Sequence, residues 1–154
     1  MGLPKLTFTL KKAARTVAAR TSQSVVALII RDSKANGVHA IYQESDIPST
    51  LGADNAAYIK RAMIGHINRP SVVYVSVIAA AAEIATGFNA LANYSYDYLC
   101  GPVDISAADA TALAALVKAQ RKLRYIGKAV LPNTAADDEG VINFVSSGIV
   151  VGST

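Results

Sequence analysis

The chain has no tryptophan, a single cysteine and little charge: Asp, Glu, Lys and Arg make up 17% of its 154 residues. Each scarcity excludes something. One cysteine, Cys100, leaves no intrachain disulfide framework, so folding in a reducing compartment such as a bacterial cytoplasm is expected. Sparse charge beside 52% apolar residues argues against global disorder. No stretch at the N-terminus forms a continuous apolar run, so no secretory signal is expected. Residues 71–91 are long and apolar enough to be tested as a membrane span, at roughly 20 residues. Their character changes midway, from β-branched at 72–78 to alanine-rich at 79–85, and Glu83 interrupts them. A buried strand followed by a helix is the expectation, and no membrane insertion.

Missing chemistry narrows the function classes further. No Gly-x-Gly-x-x-Gly follows a strand, and no phosphate loop with its lysine occurs. No serine stands in a nucleophile elbow. His39 and His66 are isolated, and with one distant cysteine they match no metal spacing. Asp137-Asp138-Glu139 crowds three carboxylates, but such a run before an apolar segment reads as a helix start or a solvated loop. No catalytic residue, cofactor site or metal site is expected.

What is present is a chain with an uneven charge. Residues 1–77 hold ten Lys and Arg against four Asp and Glu, and residues 78–154 hold five against seven. The bias concentrates in the first 23 residues, where Lys5, Lys11, Lys12, Arg15 and Arg20 meet no acid. A basic arm can attract nucleic acid. No aromatic residue interleaves Lys11 to Arg20, so base stacking lacks its platform and no nucleic acid partner is expected. Leu6-Thr7-Phe8-Thr9-Leu10 alternates strictly, placing Leu6, Phe8 and Leu10 on one face of a half-buried strand. Residues 1–23 therefore read as an arm and linker, and 24–154 as one domain of adequate size for a core.

The domain is organised around residues 94–134, which read as strand, crossover helix and strand. Tyr96-Asp97-Tyr98-Leu99-Cys100 is stopped by Gly101-Pro102. Ser106 opens a helix with Asp109 three residues on, a capping box. Leu113, Leu116 and Val117 give that helix one apolar face, and Gly127 precedes the run Ala129-Val130-Leu131. Upstream, 24–32 is apolar throughout, as in a strand buried on both faces. Asn36-Gly37 is a hairpin signal, predicting that 38–42 pairs antiparallel with it. A helix over 53–66, capped from Ser49 or Thr50, a strand at 72–78 and a helix over 79–92 follow. Residues 141–145 and 148–152 read as short strands, or as a short helix and a strand. The fold class predicted is α/β: a three-layer domain with a mostly parallel, mixed sheet flanked by helices, plus the N-terminal arm.

Several segments in order carry a resemblance. They are Val26-Ala27-Leu28-Ile29-Ile30-Arg31-Asp32, Asp46-Ile47-Pro48, Ala56-Ala57-Tyr58-Ile59-Lys60-Arg61-Ala62-Met63-Ile64-Gly65, Tyr96 to Cys100 and Lys128 to Ala135. Glu139 to Phe144 and Gly148 to Gly152 continue the pattern. The ordered set resembles the tail sheath proteins of contractile bacteriophages and phage-like elements of Gram-positive bacteria. The resemblance implies a virion structural protein, made in the bacterial host cytoplasm and located in the tail. It implies self-association around a tail tube protein and rearrangement on contraction, with partners that are other copies of the chain. It also implies that arms add strands to a neighbour's sheet, a role for which Leu6, Phe8 and Leu10 are suited as the interface. Sheath proteins usually continue well past the segment matching Gly148 to Gly152, so the chain reads as their N-terminal part or as a shortened relative. A second reading, from another class, is a small α/β enzyme or nucleotide-binding domain. Its site would lie past the carboxyl ends of the strands, near Gly101-Pro102 and 133–138.

Overall fold

The computed structural model describes residues 24–65 and 69–145. Among these residues six strands form one sheet: β1 (Val25–Arg31), β2 (Gly37–Ile41), β3 (Val72–Ile78), β4 (Tyr98–Cys100), β5 (Lys128–Pro132) and β6 (Val141–Phe144). The described residues also form three α-helices, α1 (Ala53–Ile64), α2 (Ile84–Ala90) and α3 (Ala107–Lys122), and a 3-10 turn at Glu44–Asp46. The strand order is β2-β3-β1-β4-β5-β6, with every neighbouring pair parallel except β2 with β3. This is the mixed α/β sheet, with helices on both faces, that the alternation of strand and helix wording predicts.

Alternation along the strands divides the core in two. Ala27, Ile29, Leu99, Ala129 and Leu131 face α2 and α3, meeting Phe88, Leu113 and Val117. Leu28, Ile30, Val73, Val75 and Val77 face α1, meeting Ile59. Each fully buried Leu or Ile contributes about 1.5–3 kcal/mol of apolar transfer. β1 supplies both layers, which is why its sequence is apolar without alternation. Gly87 lets α2 lie close on the sheet, since a Cβ there would stand 2.6 Å from Ile29 Cγ2.

α3 starts as its sequence dictates. Ser106 Oγ accepts from the Asp109 amide at 3.1 Å, and the Ser106 amide donates to Asp109 Oδ2 at 3.4 Å. Elsewhere the structure corrects local expectation. β2 pairs with β3, with His39 opposite Val75, and not with β1 as Asn36-Gly37 predicts. β1 takes two parallel neighbours, β3 and β4, and the turn at Ala35 (φ 57°) and Gly37 (φ 125°) sends β2 to the edge. α1 begins at the Gly52 cap and not from Ser49 or Thr50: Asp32, twenty residues upstream, accepts the Gly52 amide at 2.9 Å. The helix expected over 79–92 is confined to Ile84–Ala90, because residues 79–82 close a turn through Ala82 N–H to Ala79 O at 2.9 Å. The strand expected from Tyr96 begins at Tyr98, since Asp97 Oδ2 instead accepts the Val25 amide at 2.7 Å. The parts of the chain read as arm (1–23) and as the strand at 148–152 lie outside the described residues.

Candidate functional site

β1 leads to β3 on one side, and the chain then returns to β4 on the other, so the order reverses beside β1. In open α/β sheets the crevice past the carboxyl ends at such a reversal is where ligands bind. Beside the end of β1 that crevice is bridged by the chain's own side chains. Arg31, ending β1, donates to Asp109 Oδ2 at 3.0 Å and reaches the Ala82 carbonyl at 3.5 Å. Asp109 also accepts from the Ser106 hydroxyl at 2.9 Å. A carboxylate of the chain thus occupies the N-terminus of α3, the position an anionic ligand would take. The hydrogen bond from Arg31 holds the Asp109 carboxyl below the usual carboxylate range.

The next residue does the same for α1. Asp32 accepts from the Gly52 amide, from Asn55 Nδ2 at 2.8 Å and from the Lys34 amide at 3.0 Å, and these bonds lower its pKa. Asn55 gives its other proton to the Arg31 carbonyl at 2.8 Å. Tyr58 donates to the Gly101 carbonyl at 3.0 Å, and burial raises its pKa. Cys100 lies nearby with its thiol pushed up to about 11 by burial, the condition of an unreactive thiol. His39 makes a 2.8 Å contact from Nε2 to the Ala35 carbonyl, in the turn before β2. His66 lies outside the described residues.

The acidic run serves as an anchor. Asp138 Oδ1 accepts the Gly140 amide at 2.9 Å, which lowers its pKa, and its oxygens stand 3.6 Å from Lys118 Nζ and 3.8 Å from Arg121 Nε. Glu139 takes Arg121 Nη2 at 2.7 Å. The three-carboxylate segment is a loop tied to α3. Among the described residues, no group of three or more His, Cys, Asp and Glu could hold a metal ion.

Surface left without a cover among the described residues lies elsewhere. Val26 and Leu28, on the α1 face, stand in register with Tyr98 and Cys100, these with Lys128 and Val130, and Val130 and Pro132 with Ile142 and Phe144. Registered neighbours in a parallel sheet project to the same side. α1 packs on the β2-β3-β1 half of that side, whereas none of the described helices packs on the β4-β5-β6 half. A groove of about 490 Å³ lined by Tyr58, Cys100, Val130 and Phe144 borders it and extends past the carboxyl ends of β4 and β5 to Gly101, Pro102 and Asn133, where the second reading would place a site. Ile142 is 40% exposed and Phe144 46%. Among the described residues β6 is also an edge of the sheet, where a further strand could add. This apolar half-face and its edge make up the candidate site, and its chemistry is that of an interface. Local pattern reading passed over it, although the clue was present: β4 to β6 carry apolar residues on both faces, interrupted by Lys128 and Asn143. The predicted interface residues Leu6, Phe8 and Leu10 lie outside the described residues, so their position relative to β6 is a matter for proposal.

No family model matches the chain. It is similar to the tail sheath protein of Clostridium phage phiCD119, at 30% identity over 156 residues, covering 98% of this chain. The chain spans 44% of that relative's length.

Proposed function

We propose that this chain is a structural subunit, or the N-terminal part of one, of a contractile phage or phage-like tail sheath. The observation that carries this reading is the similarity to a sheath protein along 98% of the chain. The geometry supports it: Arg31, Asp32 and Tyr58 are engaged within the chain at the ends of the strands, and apolar side chains are exposed on β4 and β6 as well as at Leu123, Tyr125 and Ile126. In this reading the subunit is non-enzymatic. It associates with other copies around the tail tube protein, resides in the virion tail, and is made in the host cytoplasm. Leu6, Phe8 and Leu10 of one copy add as a strand to the open edge of β6 in the next, giving directional backbone bonds that persist as subunits pivot. Contraction is then a change in how rigid α/β units are disposed, each held internally by links such as Arg31 to Asp109.

The test is mass spectrometry on tail-bearing particles pelleted from the source culture. Abundant peptides from residues 24–145 in the pellet are the expected result. Tails that pellet while the chain stays in the supernatant would overturn the reading. Phe8→Asp should leave the chain folded and remove it from the particles.

A further inference from the structure

The two ends of the β4-β5 pair carry surfaces of opposite character. At the amino end, α3 runs out into Lys122-Leu123-Arg124-Tyr125-Ile126, five consecutive exposed residues that mix cations with apolar and aromatic side chains. Ile126, at 86%, is the most exposed large apolar residue of the described chain. Arg124 stands at φ 69°, in the helix-ending position that glycine usually fills, and its amide donates to the Arg121 carbonyl at 2.9 Å. Lys128, opening β5, adds a third exposed cation. At the carboxyl end of the same strands lies the groove bordered by Tyr58 and Phe144. Val103, 69% exposed, lines it, and the exposed Asp104 follows in the chain. Asp54 shares the α1 stripe of Tyr58 and Arg61, at spacings of four and three, so a second carboxylate continues the groove's wall. None of Lys122, Arg124, Lys128, Asp54 and Asp104 is in an ion pair among the described residues. We infer that these surfaces are the two halves of one contact between copies, in which the 123–126 turn of one copy seats in the carboxyl-end groove of the next. The inference rests on the reading of the chain as a self-associating subunit, and adds the direction and the residues of association.

Three observations select a second copy as the occupant. The first is reach. Turn and groove stand at opposite ends of β5, whose five residues at roughly 3.3 Å each hold them about 15 Å apart, so a chain does not fill its own groove. The second is charge. The turn brings Lys122, Arg124 and Lys128 to a groove edged by Asp54 and Asp104. Arg61, also on the groove's wall, is matched by Tyr125, whose ring face attracts a cation. The third is fit. A groove of about 490 Å³ lined largely by apolar side chains is of a size to bury a compact group, and Leu123 and Ile126 bring one. The contact is heterologous, so successive copies follow head to tail. Their series closes as a ring or continues as a helix according to the rotation at each step.

Sedimentation of the purified chain at rising concentration reads this contact. The native chain should form a series that extends beyond dimers. Arg124→Glu and Asp104→Lys, both on exposed residues, should each keep the native unfolding midpoint and weaken association at least about tenfold. An equimolar mixture of the two variants should recover pairs, because each restores the charge match that the other has lost. A native chain that stays monomeric, a series that stops at dimers, variants that associate as the native chain does, or a mixture without recovered pairs would each overturn the inference. Incorporation of Arg124→Glu into tails at the native level would overturn the contact and leave the sheath reading standing. Absence of the native chain from tails would overturn the sheath reading, and the sedimentation series would still decide the contact.

Discussion

One side of the sheet is finished in two different ways. Over β2, β3 and β1, helix α1 seals Leu28, Ile30, Val73 and Val75 to 1% exposure or less, with Ile59 driven in at 0%. Over β4, β5 and β6 the same side shows Tyr98, Ile142 and Phe144 at 39%, 40% and 46%. Both halves are apolar, so hydrophobicity alone does not tell folding from association. The difference lies in which residues find a partner inside the described fold and which must find one outside it. The polar groups divide in the same direction. Arg31, Asp32, Asn55, Asp109 and Tyr58 engage one another or nearby main chain at the ends of the strands, whereas β6 is an edge among the described residues.

That contrast can be broken by substitution, most strongly in the sealed half. Ile59→Ala leaves a cavity beneath α1 and should cost about 2–5 kcal/mol in urea unfolding. Gly87→Ala forces a methyl against Ile29 and Ile78, and a cost of about 1–3 kcal/mol is expected, read as a lower Tm with unchanged helix content. Asp109→Asn leaves the Arg31 guanidinium without its counter-charge at 16% exposure. A loss of about 1–2 kcal/mol follows after allowing for solvent screening. Asp109 carries a pH signature as well. Its folded pKa is depressed, so its contribution is full above the ordinary carboxylate pKa and disappears as pH falls through the lower, folded value. Acid titration of stability should therefore be flatter in Asp109→Asn than in the native chain. A native-like acid limb in the variant would remove Arg31 to Asp109 from the account. Smallest of all, Ile142→Ser and Phe144→Ser should change unfolding by no more than about 0.5 kcal/mol in the isolated chain while impairing incorporation into tails. A core-sized loss there would place the open half with the sealed one.

What could be read from the sequence follows the same division between local and distant causes. The crossover around α3 was legible because its signals are local: Ser106 with Asp109 at the start, the Leu113 and Val117 stripe, and the break at Gly127. α1 was visible, but its cap was not, since Asp32 lies twenty residues away. The alanines at 79–82 favour helix intrinsically, yet a turn there presents the Ala82 carbonyl to Arg31. Asn36-Gly37 signals a turn correctly and says nothing of which strand receives β2, a choice made by the need of β1 for neighbours on both edges. The bridge at the end of β1 rests on Arg31 and Asp109, 78 positions apart, and no spacing rule reaches so far. The open half-face was recoverable in principle, by counting apolar strand faces against helices available to cover them.

The measurement that bears most directly on the contrast is amide hydrogen exchange of β6 against β1, in assembled tails and in the dissociated chain. An association role for the open edge predicts that Val141–Phe144 gains strong protection on assembly while Val25–Arg31, already sealed, changes little. Equal exchange of β6 in both states would contradict it.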